Sequence, residues 1–166
     1  MTIYKDKIEC AVINFSPVGF VVVARDFLDC AAAYQPKRFS MVPYFLYCRA
    51  MELALKSVAL WTSCQKDVKN KYWHNLEKVY EDHSSYIALN SAEKLVLRQA
   101  NELYRDKKFE YMEPGLAAHG FKDFTEVVNG KRVVKVVPEL ADLSSLANKI
   151  VLKAEEHKDD QIRQGN

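Results

Sequence analysis

Arg49, Glu52 and Lys56 stand three and four residues apart in the stretch CRAMELALKSVALW, residues 48–61, where almost every other side chain is apolar. At ~100° per residue the three share one narrow helical stripe. Glu52 precedes Lys56 by four positions, the better orientation for a helical ion pair, and Arg49 precedes Glu52 by three, so one carboxylate can bridge two cations. Charges this close to an apolar core must be paired. The arrangement fits two kinds of chemistry: a structural ion triplet that fixes packing or closes a homodimer seam, or a cationic floor for a phosphate in which Glu52 holds a cation in place.

A second group lies in KDVKNKYWHNLEK, residues 66–78, where basic residues alternate with Tyr72, Trp73 and His74. Positive charge beside aromatic faces suits single-stranded RNA, since the cations meet the backbone and the rings stack on bases. Lys69 is the cation nearest His74 on its N-terminal side apart from Lys71. The competing reading is a solvated loop leading into a helix. His74 is a surface histidine if that helix already includes it, and sits at the helix mouth if Asn75 is the N-cap. His83 falls on the apolar face and reads as a core histidine.

Neither a glycine-rich phosphate loop nor His-Glu-x-x-His, Gly-x-Ser-x-Gly or a metal-spaced Cys/His set occurs. The four histidines are scattered, so no metal or cofactor is implied. The formal net charge of +2 gives the molecule no strong overall field. Cysteines at 10, 30, 48 and 64 lack a Cys-x-x-Cys pair and read as small core hydrophobes in a reducing compartment. The N-terminus does not pattern as a signal peptide, and the greasiest run, 18–28, contains Arg25 and Asp26. The expectation is a cytoplasmic protein that does not span a membrane.

The elements that must position these residues follow from length and periodicity. A chain of 166 residues, 49% hydrophobic, supports one core and one domain over 1–166. Ser16-Pro17 opens a helix at about 17–34, with Phe20, Val23, Phe27, Cys30 and Ala31 on one face. A second helix runs from about 43 to 65, apolar around nearly its whole circumference except for the charged stripe, and is therefore central. Residues 66–71 read as a loop, Leu76 begins a third helix, and the Asn90-Ser-Ala-Glu93 capping box opens a fourth, with Val96, Ala100 and Leu103 on one face. Residues 109–121 are irregular. Asn129-Gly130 between β-branched runs predicts a small β-hairpin near 124–137. A last helix follows with Leu143, Leu146, Ala147, Ile150 and Ala154 inward, and the charged tail, 155–166, is expected to fray. The fold class is all-α, an up-and-down bundle of about five helices. Apolar surface on the second helix in excess of what the others can cover predicts a homodimer.

The series YFLYCRAMELALKSVAL, a short connection, KYWHNLEKVYEDH, a fourth helix, KFEYMEPG and a last helix resembles the HEPN superfamily (higher eukaryotes and prokaryotes nucleotide-binding). Many of its members show Glu-Leu-x-x-Lys on one helix and His-Asp/Asn-Leu at the opening of the next. The match covers mainly residues 43–83, with a looser echo to about 152. The resemblance implies a helical bundle, usually a homodimer, that binds nucleotide or RNA. It is often found in defence or toxin–antitoxin systems, so a protein partner such as an antitoxin is implied, and catalytic branches are metal-independent endoribonucleases. Glu52, Lys56, His74 and Asn75 match the motif; Arg49 joins them through the stripe and Lys69 through the loop. His74 is the candidate catalytic residue, and Arg49, Glu52, Lys56, Lys69 and Asn75 the candidate RNA- or phosphate-binding set. The chain departs from the ribonuclease pattern, Arg, four to six residues, then His: positions 67, 68 and 69 are Asp, Val and Lys. Lysine brings charge but not the flat two-pronged guanidinium. The alternative is a non-catalytic interaction module whose stripe is an internal ion network.

Overall fold

The computed structural model describes residues 16–35, 40–107, 123–128 and 131–165. Among them the chain is all-α, with six helices around one core: α1 (Pro17–Ala33), α2 (Val42–Leu60), α3 (Gln65–Tyr72), α4 (Leu76–Asp82), α5 (Ser91–Tyr104) and α6 (Leu140–Arg163). Strands β1 (Asp123–Val128) and β2 (Lys131–Val136) pair antiparallel, Val128 opposite Lys131. The expected Asn129-Gly130 turn and the irregular segment 109–121 lie outside the described residues.

Local chemistry sets the helix ends. The Ser16 hydroxyl accepts the Gly19 N–H at 3.1 Å, ahead of Pro17 in the first turn. The capping box of α5 is complete: Asn90 Oδ1 accepts from Glu93 N at 2.9 Å and Glu93 accepts from Asn90 N at 2.8 Å. Glu93 also takes Lys149 of α6 at 2.8 Å, so this cap doubles as a tie between helices.

α2 is the centre. It packs against α1 and α6, with α3, α4 and α5 closing the remaining sides. Cys48, Ala50, Met51, Ala54 and Leu55 are fully buried, and so is Glu52. Most of the apolar surface of α2 is thus covered within one chain, while Val42 at its start stays exposed.

Four expectations are corrected. Residues 66–71, read as a loop, belong to α3. Its two buried side chains, Val68 and Tyr72, are one turn apart, and Asp67 in the first turn with Lys69 and Lys71 in the last suit the helix dipole. The tail does not fray at 155: α6 continues to Arg163, held where Arg25 of α1 grips Glu155 through Nε at 2.9 Å and Nη2 at 2.5 Å. The inward face of α1 is rotated by one residue from the expected one, since Val21, Ala24, Leu28 and Ala31 are buried while Cys30 is exposed. Of the other cysteines, Cys48 is in the core and Cys64 is exposed, so only Cys48 behaves as the core hydrophobe expected; position 10 lies outside the described residues. The inward residues of α6 are Leu143, Leu146, Ala147, Ile150, Val151 and Ala154. Among the described residues no helix is long and apolar enough to cross a membrane.

Candidate functional site

Glu52 is the hub. Its side chain is 1% exposed and accepts four hydrogen bonds: Lys56 Nζ at 2.6 Å and His74 Nδ1 at 3.1 Å on Oε1, Arg49 Nη1 at 2.7 Å and the Tyr104 hydroxyl at 2.5 Å on Oε2. An ionised carboxylate offers about four lone-pair sites, and all are occupied. Burial alone would push the Glu52 carboxyl up, but Lys56 and Arg49, with the bonds from Lys56 and Tyr104, outweigh it and hold the group below the usual carboxylate range. Burial, reinforced by Glu52, pushes the Tyr104 phenol up, so it remains an O–H donor. Burial acts to lower the Arg49 guanidinium, and Glu52 overcomes that and raises it.

His74 reaches this hub because of how α3 ends. The N–H of Trp73 bonds to Lys69 O at 2.9 Å and that of Asn75 to Tyr72 O at 2.8 Å, closing a tight turn over residues 72–75. Trp73 adopts φ 48° and ψ −117°, a left-handed region that favours glycine. The turn presents the Trp73 carbonyl to Lys56 Nζ, so that this ammonium clamps both Glu52 and the turn. Beyond it, Asn75 Oδ1 caps α4 by accepting from Lys78 N at 3.0 Å. Asn101 of α5, buried, accepts the Leu76 N–H at 2.8 Å and donates to Glu77 at 3.0 Å, satisfying a second free donor of the same helix start. His74 is therefore at the helix mouth, fixed from both sides.

Since the carboxylate can only accept, Nδ1–H of His74 donates to Glu52, and in the neutral ring the proton-free nitrogen is Nε2. The imidazole also meets the Tyr104 ring edge to face, with centroids 5.9 Å apart. This is the orientation logic of a general base: one nitrogen held by a buried carboxylate, the other left to exchange a proton.

His74 lines a pocket of about 260 Å³ with Arg49, Glu52, Lys56 and Lys69. Phe20, Leu53, Val68 and Trp73 supply apolar walls, and Gln65 completes the lining. Arg49, Lys56 and Lys69 against the single carboxylate of Glu52 give the lining a net positive charge. Lys69 is exposed at its edge and has no ion pair among the described residues. The structure thus gathers five of the six predicted residues, Arg49, Glu52, Lys56, Lys69 and His74, into one pocket. Asn75 is not among the pocket's walls, and its side-chain oxygen caps α4. The Lys56 ammonium holds Glu52 and the Trp73 carbonyl, so two of its three donors fix the site's geometry.

His83, read as a core histidine, caps the end of α4 half-buried, with Nε2 3.1 Å from the Tyr72 hydroxyl. Sequence reasoning missed Tyr104 and Asn101. Their signal was available: both lie on the buried side of α5 beside Leu97, Ala100 and Leu103, where a polar atom needs a partner. Among the described residues no group of three or more His, Cys, Asp and Glu could hold a metal ion. No family model matches the chain, and neither the curated proteins nor the solved structures yield a match.

Proposed function

We propose that this chain is a HEPN-like nucleotide- or RNA-binding protein whose pocket receives a phosphate between Arg49 and Lys69, beside His74. The observation that carries this reading is the His74 Nδ1–Glu52 contact of 3.1 Å in the same pocket as these cations. An architecture of this type, an up-and-down bundle with a hairpin insertion, goes with the same reading. Binding is the primary activity; cleavage is what His74 would add. In that step Nε2 takes the proton of a 2′-hydroxyl, the 2′-oxygen attacks the adjacent phosphorus, and the 5′-oxygen leaves with a proton returned by the imidazolium. Arg49 and Lys69 stabilise the charge on the crowded phosphorus. This is the chemistry of a metal-independent endoribonuclease of the toxin–antitoxin or defence kind, with lysine in place of the expected arginine.

The test is RNA affinity at two salt concentrations alongside cleavage in EDTA. Arg49→Ala and Lys69→Ala should each weaken binding and lower the salt slope by about 1. His74→Ala should bind RNA and not cut it, with unchanged circular dichroism. Wild-type protein that neither binds nor cuts RNA or nucleotide would hand the site to the second reading, a non-catalytic protein-interaction module. That reading is favoured by one observation: Glu52 is buried with four donors, as a purely structural ion network would be. Both readings carry a homodimer or an antitoxin-like partner, which light scattering and co-purification would detect.

A further inference from the structure

Trp73 occupies a backbone conformation in which glycine is the least strained residue, yet it carries the largest side chain available. Core packing does not account for it, because the indole is 54% exposed. Strained residues persist where the surroundings hold them, and they gather at sites of function. Here the surroundings are the site itself: Lys56 bonds the Trp73 carbonyl, Asn75 N–H closes the turn, and the His74 ring stands 5.0 Å from the indole at 69°. The result is a large aromatic plane, anchored through its backbone, standing at the wall of a positive pocket next to a histidine whose Nε2 is free.

Cations that track a phosphate backbone, combined with an exposed ring on which a base can stack, are what proteins use to hold unpaired nucleotides. A base inside a duplex could not reach such a ring, because its faces are already stacked. We propose that Trp73 is a stacking platform for an unpaired nucleobase, the base next to the phosphate held by Arg49 and Lys69. This rests on the phosphate-binding reading above and adds to it a base-binding subsite with a named residue. The strained turn then has a purpose: it carries the indole and the imidazole on consecutive residues, so that a stacked base fixes its own ribose beside His74.

The chain has two tryptophans, so Trp61→Phe leaves Trp73 as the sole indole. The Trp61 Nε1 is buried without a hydrogen-bond partner, and its removal costs no bond. In that protein a short mixed-sequence single-stranded RNA should quench Trp73 emission saturably, while inorganic phosphate should compete for the site without quenching. Trp73→Phe should retain most of the RNA affinity, and Trp73→Leu should lose about 10- to 100-fold. Leucine has the same backbone preference against positive φ as tryptophan, so this pair varies the ring and not the strain. RNA that binds without quenching, or that binds Trp73→Leu as tightly as wild type, overturns the platform and leaves phosphate binding standing. Failure of both RNA and phosphate to bind wild type removes the platform together with the reading beneath it.

Discussion

His74 and His83 flank α4, and each holds one neighbour at 3.1 Å, yet they do different work. His74 donates to a buried carboxylate that three other groups also hold, and its ring opens on a pocket. His83 meets the neutral hydroxyl of Tyr72 and packs against that ring with centroids 6.0 Å apart. Burial holds the His83 imidazole below its ordinary pKa; Asp82 opposes that shift, and Lys71 and His157 reinforce it. Equal hydrogen-bond lengths therefore say little about role; the charge of the partner and the space beyond the ring decide it.

The largest expected effect falls on the His74 side. Glu52→Ala strands two cations beside the core and should cost about 3–5 kcal/mol in chemical denaturation, whereas Lys69→Ala, an exposed charge, should stay within about 0.5 kcal/mol. Equal small losses would mean that the hub carries no more weight than the surface and would erase the contrast with His83. Next comes Tyr104→Phe, which removes one donor from a buried carboxylate and should cost about 1.5–3 kcal/mol. A loss of only a few tenths would show that Arg49 and Lys56 suffice.

At Trp73 the usual ranking should invert. Trp73→Gly and Trp73→Ala both delete the indole, but glycine relieves the positive φ, so the glycine variant should be the more stable by about 1 kcal/mol. Alanine equal to glycine in a thermal melt would show that the turn relaxes in the variants.

The smallest effect sharpens the comparison through pH. His83 and His157 both titrate below their ordinary 6.5 in the folded chain, so the unfolded chain binds more protons and stability falls as pH drops. Their contribution is fully present above 6.5 and is lost as pH falls through the folded values. Glu52, also depressed, contributes above its ordinary 4.5 and is lost only at more acid pH. Urea melts across both windows should separate the histidine contribution from that of Glu52, and His83→Gln should reduce the slope in the upper window to the part that His157 supplies. A slope near neutrality that is unchanged in His83→Gln would assign it elsewhere.

The stripe was legible because its partners are three and four residues apart, a spacing any helix brings together. The capping box of α5 was legible for the same reason. α3 was not: an eight-residue helix this polar has little local drive, and it forms because Val68 and Tyr72 find the core. The end of α6 is met by distant partners, Arg25, 130 residues from Glu155, and Trp61 and Tyr86 against His157, which no window along the sequence can pair. Tyr104, 52 residues from Glu52, was hidden likewise. The entry of His74 into the site was readable only as a choice between two helix starts, and Asn75 and Asn101 decide it through hydrogen bonds to α4.

Cys48 gives this arrangement a built-in clock. It lies on α2 one turn before Glu52, with no exposed surface, and burial followed by the nearby Glu52 pushes its thiol up, away from the reactive thiolate. Cys30 and Cys64 are exposed and should be alkylated first. The slow modification of Cys48, identified by peptide mapping and followed under native conditions, would then time how often the central helix breathes, and a ligand seated against Arg49 should lengthen that interval.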